Sequence, residues 1–141
     1  MTQPDMPGAI PSQSRSIRSD GDLQLFLAML RRFAAQQGFD TTATAKITTA
    51  ASELGRNILK YAGTGRLNLS RIERNGSSGI EVVAFDTGPG IADIDAAMRD
   101  HYSTGKTLGL GLPGVKRIAD EFDLASTPGQ GTRARFVVWK R

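Results

Sequence analysis

Between Arg66 and Phe85 the chain reads RLNLSRIERNGSSGIEVVAF, two strand-like runs around a polar insert that contains Asn75-Gly76. Asn-Gly tolerates the positive φ angles of a tight reversal, so the runs are expected to pair as an antiparallel hairpin. A second pair of runs, FDLAST and TRARFVVWK, flanks Pro128-Gly129-Gln130-Gly131. Two hairpins exclude the regular β-α-β alternation of a parallel sheet. The remaining chain must supply helices that cover one face of the sheet.

Those helices are visible as apolar residues at helical spacing. Leu23, Phe26, Leu27, Leu30, Phe33 and Ala34 follow Asp20 or Asp22 as N-cap and end at Gly38. Ile47, Ala50, Ala51, Leu54, Ile58 and Tyr61 follow Asp40 or Thr41/Thr42 and end at the breaker AGTG. A short helix is expected over DIDAAMRD, and a third long one from Pro113, with Val115, Ile118, Ala119 and Phe122 inward. Arg15–Ser19 reads as a short edge strand, and residues 1–14, rich in Pro, Ser and Gln, as a disordered leader. Residues 15–141 are thus expected to form one domain of the α+β class. Its architecture is a two-layer sandwich, a mostly antiparallel mixed sheet with helices on one face.

Composition narrows the chemistry. With 141 residues, no cysteine and one histidine, the chain has no thiolate metal site and few routes to a zinc site. Its net charge of +4 comes from scattered basic residues rather than one aromatic-interleaved tract, so no nucleic-acid partner is expected. No apolar run approaches the roughly 20 residues of a membrane span, and the N-terminus lacks the order of a signal peptide. The expected location is the cytoplasm, with no membrane contact.

Ser103–Gly114, STGKTLGLGLPG, carries fragments of two phosphate-binding signatures. A P-loop would need glycine five residues before Gly105-Lys106, where the chain has Asp100. The dinucleotide fingerprint would need its glycines between a strand and a helix, and HYSTGKTL precedes them. Two other stretches change the reading. In SELGRN, Glu53 and Asn57 are four apart and share one side of a helix beside the Leu54/Ile58 stripe, a spacing that an ordinary exposed polar pair would also show. A carboxylate and a carboxamide at a pocket edge can hold Mg²⁺ and handle a proton. In DTGPG, Asp86 ends an apolar strand and can accept the exocyclic amine of adenine, while Gly88 and Gly90 let backbone pass close to a flat base; a plain strand-ending turn uses the same residues.

The ordered set E-x-x-x-N, D-x-G-x-G, G-L-G-L and G-x-G-T, from Glu53 to Thr132, resembles the Bergerat ATP-binding fold of the gyrase, Hsp90 and histidine-kinase (GHKL) superfamily. ITTAASELGRNILKYAGTG, DTGPGI, YSTGKTLGLGLPGVKRIADEFD and GQGT are closer still to the small serine/threonine-protein kinases of the bacterial anti-sigma regulatory group, including the stressosome switch kinases.

The resemblance implies ATP and Mg²⁺ as cofactors, with Asn57 as the metal ligand and Glu53 as the catalytic base. It implies Asp86 on adenine with support from Thr132, and a floor shaped by Gly88 and Gly90. It also implies a lid over the phosphates from Gly105 to Gly111, in which Lys106 adds a point charge and Gly109, Leu110 and Gly111 supply backbone N–H groups. The partner it implies is a STAS-domain phosphoacceptor, met beside Arg56, Lys60 and Tyr61, and a PP2C-type phosphatase that the kinase activates afterwards. The alternative within the group is an anti-sigma factor that sequesters a sigma factor, with ATP as conformational ligand.

Overall fold

The structure, a computed structural model, describes residues 13–91, 97–98 and 111–141. The elements, in chain order, are β1 (Gln13–Ile17), α1 (Asp20–Gln36), α2 (Thr41–Asn57), β2 (Gly65–Arg74), β3 (Ser77–Asp86), α3 (Gly111–Ile118), β4 (Glu121–Thr127) and β5 (Gly131–Trp139). A π-helical turn, Ile58–Ala62, continues α2. The sheet order is β1-β2-β3-β5-β4, and all four described pairings are antiparallel.

The first hairpin has the expected geometry. Asn75 and Gly76 have φ of 53° and 82°, the pair of positive angles that a two-residue turn matched to strand twist requires, and pairing starts at once with Arg74↔Ser77. Strands β2 and β3 therefore run further into RNGSSG than the apolar pattern indicates. The edge strand lies at the sheet margin but begins at Gln13, so two residues assigned to the leader belong to β1.

Ser19 caps α1, rather than Asp20 or Asp22. Its backbone is extended and its Oγ accepts the Asp22 amide at 3.1 Å, while Asp22 Oδ2 accepts the Arg18 amide at 2.9 Å. Asp40 caps α2, accepting the Ala43 amide at 2.8 Å. Both helices bury the stripe that the spacing defines, and Phe26, Leu30, Ile47, Leu54 and Ile58 meet Leu67, Leu69, Ile80, Val82 and Phe136 from alternate positions of the sheet. Each such side chain contributes about 1.5–3 kcal/mol by leaving water.

The third long helix is shorter than expected. It stops at Ile118 because the Asp120 amide donates to Val137 O at 2.9 Å and Asp120 Oδ2 accepts the Trp139 amide at 2.6 Å. The chain is thus already joined to β5, and Phe122 faces Phe136 from β4. The helix expected over DIDAAMRD lies outside the described residues except for Ala97 and Met98, as do Lys106, Gly109, Leu110 and the rest of the lid before Gly111.

Candidate nucleotide and phosphoryl-transfer site

The end of β3 is fixed by its register. Asp86 stands opposite Thr132 on β5, and Thr132 opposite Ser126 on β4, so the three share one cross-strand row on the helix-covered face. Asp86 Oδ1 accepts the Gly88 amide at 3.0 Å, which shapes the loop and leaves Oδ2 to take a further donor. A Cβ at Gly90, where φ is +77°, would sit 2.4 Å from Thr127 O, and one at Gly88 would sit 2.6 Å from Ala62 Cβ. The two glycines therefore press the loop against the β4–β5 turn on one side and the π-helical turn on the other. Gly129 donates to Pro89 O at 2.7 Å across the same seam.

Ser126 is the residue that the sequence did not single out. Its Oγ accepts the Ile91 amide at 2.7 Å, donates to Gly131 O at 3.0 Å and lies 2.9 Å from Thr132 Oγ1. A hydroxyl has one donor and two acceptor sites, so this set balances when Thr132 donates to Ser126. Thr132 then presents its lone pairs to the pocket. The only sequence signal for Ser126 is its register opposite Thr132, which needs the hairpin alignment to be read.

Glu53 is not an exposed helix residue. It is 5% exposed, with Oε2 accepting the Gly111 amide at 3.1 Å and Oε1 accepting Arg56 Nη2 at 3.3 Å. The carboxylate thus sits at the N-terminus of α3, where unpaired N–H groups and the helix dipole stabilise negative charge. Asn57, half-buried, closes α2, and the π-helical turn that follows makes no use of its side chain as a cap. Such turns inside helices recur at functional sites. Tyr61 is 52% exposed, with the Lys60 ammonium 5.1 Å from its ring centre, so it belongs to the surface rather than the core.

The structure brings together Asp86, Gly88, Gly90 and Thr132 at one end of the sheet, and Glu53 and Gly111 at the junction of α2 and α3. Gly88 ties the two regions through its packing on Ala62. The donor set fits MgATP. One free carboxylate oxygen stands where a flat base can approach, and a carboxamide and a carboxylate lie one helical turn apart. No cluster of three or more acidic, His or Cys side chains occurs among the described residues. A metal here would therefore depend on the nucleotide's own phosphates for most of its ligands, the usual habit of Mg²⁺.

Residues 19–138 match the histidine kinase-like ATPase domain family, and the chain belongs to that family. A crystal structure of the RsbU and RsbW domains of a Mycobacterium tuberculosis protein shares the fold, with a TM-score of 0.66 at 16% identity, covering 94% of this chain and 33% of that one. Within the family the chain is 44% identical over 125 residues to the serine/threonine-protein kinase RsbT of Bacillus subtilis (strain 168), covering 89% of this chain and 94% of RsbT. It is 32% identical over 109 residues to an anti-sigma F factor of Thermoanaerobacter sp. (strain X514), covering 74% and 76% of the two chains. The chain is thus an ATP-dependent serine/threonine-protein kinase similar to RsbT. No described helix is long and apolar enough to cross a membrane.

Proposed function

We propose that the protein transfers the γ-phosphoryl group of MgATP to a Ser or Thr hydroxyl of a STAS-domain partner in a cytoplasmic stress-signalling partner switch. After the transfer it would leave that partner and activate a PP2C-type phosphatase. The observation that carries the reading is Glu53, a buried carboxylate whose Oε2 accepts the Gly111 amide at the N-terminus of α3.

Phosphoryl transfer asks for in-line positioning, charge neutralisation and exclusion of water more than for covalent work by the protein. Asp86 Oδ2 accepts the adenine amine, and Thr132 accepts from the same edge directly or through a water. Asn57 would hold the metal, which would neutralise charge on the phosphates. Glu53 takes the proton of the acceptor hydroxyl as its oxygen bonds to phosphorus and ADP leaves. Lys106, Gly109 and Leu110 are assigned to the covering lid by their place in the motif.

The similarity to anti-sigma F factors supports a second reading, direct capture of a sigma factor with ATP as conformational ligand. Transfer from γ-labelled MgATP to the STAS-domain protein separates the two, with wild type compared to Asn57→Ala and Asp86→Asn. The kinase reading expects label on the partner from wild type alone. Absence of label, with nucleotide binding still lost in Asp86→Asn, would leave the ATP site standing and favour the second reading.

A further inference from the structure

The exposed sides of α1 and α2 bound a groove of about 600 Å³. Its α2 wall runs from Thr41 to Arg56, roughly 22 Å at the rise of an α-helix, and is mostly threonine, serine and alanine, side chains short enough for another backbone to come close. Leu27 and Phe39, both buried, contribute apolar surface. The charged lining residues are Arg31 and Arg56, and the lining contains no carboxylate. The described residues offer Arg31 no ion pair.

Arg56 makes the groove more than a surface feature. Its side chain is 54% exposed, yet its Nη2 reaches Glu53 Oε1 at 3.3 Å. One wall of the groove therefore ends on the carboxylate that serves as base. A trough of small, largely hydroxyl-bearing side chains with a guanidinium on each wall suits a helix carrying acidic side chains.

We propose that this groove docks an acidic helical segment of the phosphoacceptor protein, Arg31 anchoring it and Arg56 turning from Glu53 to a carboxylate of the segment. The proposal rests on the kinase reading above. Arrival of the segment withdraws the Arg56 guanidinium from Glu53 Oε1, which removes one contact that competes with the acceptor hydroxyl for that oxygen. A guanidinium can exchange one carboxylate for another and stay paired throughout.

Calorimetric titration of the full chain with the STAS-domain acceptor tests this, alongside transfer kinetics on the same samples. The variants are Arg31→Glu, Arg31→Lys and, as control, Arg32→Glu, which reverses an exposed charge on α1 outside the groove. Arg31→Glu is expected to weaken acceptor binding about tenfold and raise the acceptor KM equally, as loss of a complementary charge does. kcat at saturating acceptor and the KM for ATP should not change, Arg31→Lys should restore most of the loss, and Arg32→Glu should stay near wild type. Equal effects of Arg31→Glu and Arg32→Glu, wild-type affinity in Arg31→Glu, or no binding by wild type would each overturn the docking proposal. Binding that depends on Arg31 without transfer by wild type would instead refute the kinase reading and leave the groove as a docking site.

Discussion

Gly131 opens β5, with φ at +129°, and a Cβ there would lie 2.1 Å from Asp86 O, 2.9 Å from Thr87 Cα and 3.0 Å from Asp86 C. Those contacts are backbone, so no side chain can swing aside to relieve them. Gly131→Ala combines an unfavourable φ, about 1–3 kcal/mol, with overpacking of about 1–3 kcal/mol. Taken together, roughly 2–6 kcal/mol is a large share of the 5–15 kcal/mol that holds a typical domain folded. In a chain of this size the melting temperature should fall by roughly 10 °C. Relief can come only from displacing Asp86, so ATP affinity should fall too. A charge-assisted hydrogen bond of about 1.5–3 kcal/mol lost from adenine corresponds to about 10–100-fold. Gly129→Ala is the control, because Gly129 has φ of +79° but nothing within 4 Å of its Cβ position. It should lose stability from backbone strain alone and bind ATP normally. Thermal melts and titration with a fluorescent ATP analogue provide the two readouts. If Gly131→Ala melts and binds like Gly129→Ala, the close approach of β5 to Asp86 does not shape the nucleotide site.

Ser126→Ala removes a hydroxyl that serves Ile91, Gly131 and Thr132 at once, leaving the Ile91 amide and the Gly131 carbonyl without this partner. It should cost about 1–3 kcal/mol in denaturant unfolding and weaken ATP binding, whereas Ser126→Thr should retain most of both. Glu121 supplies a pH dependence. The Arg74 guanidinium, hydrogen-bonded to it at 2.6 Å, holds its carboxyl below the ordinary value, against burial and aided by Trp139 Nε1 and Arg135. The folded state then binds fewer protons than the unfolded state in the acid range, so this stabilisation is complete above the usual carboxylate pKa of about 4.3 and lost on acidification below it. Glu121→Gln should therefore melt below wild type at neutral pH and approach it as the pH falls toward 3, roughly the lower edge of that range. A constant difference across pH would refute the assignment.

The hairpins were legible because Asn75-Gly76 and the Pro128–Gly131 run name their own backbone angles. The core faces of α1 and α2 were legible because the apolar stripes leave no other side to bury. Other features depend on contacts remote in sequence. Ser19, Asp20 and Asp22 are all competent caps, and only the extended backbone at Ser19 selects among them. The π-helical turn is too short for its period to differ visibly from that of an α-helix. The end of α3 is set by Asp120 pairing with β5, which no local pattern announces. At the site, Asp86 and Thr132 were found by motif, while Ser126 emerges only once the β4–β5 register puts it beside them.

Glu53 shows what the motif could not. Taken alone, a carboxylate in that position reads more readily as half of an ordinary exposed polar pair, but Glu53 is buried, and a buried carboxylate is costly unless its oxygens are paired. The pairing comes from Gly111, the first residue of α3, and from Arg56 on its own helix. The N-terminus of α3 is also where an anionic phosphate is best stabilised, so on the proposed reading base and phosphate would share one helix end. Two anions side by side repel, and that repulsion is tolerable only with cationic charge between them. On that reading Asn57, one turn beyond Glu53, would hold the cation between them. The carboxylate and the glycine that starts α3 are joined in the structure, and the proposed MgATP would bring the carboxamide into the same constellation.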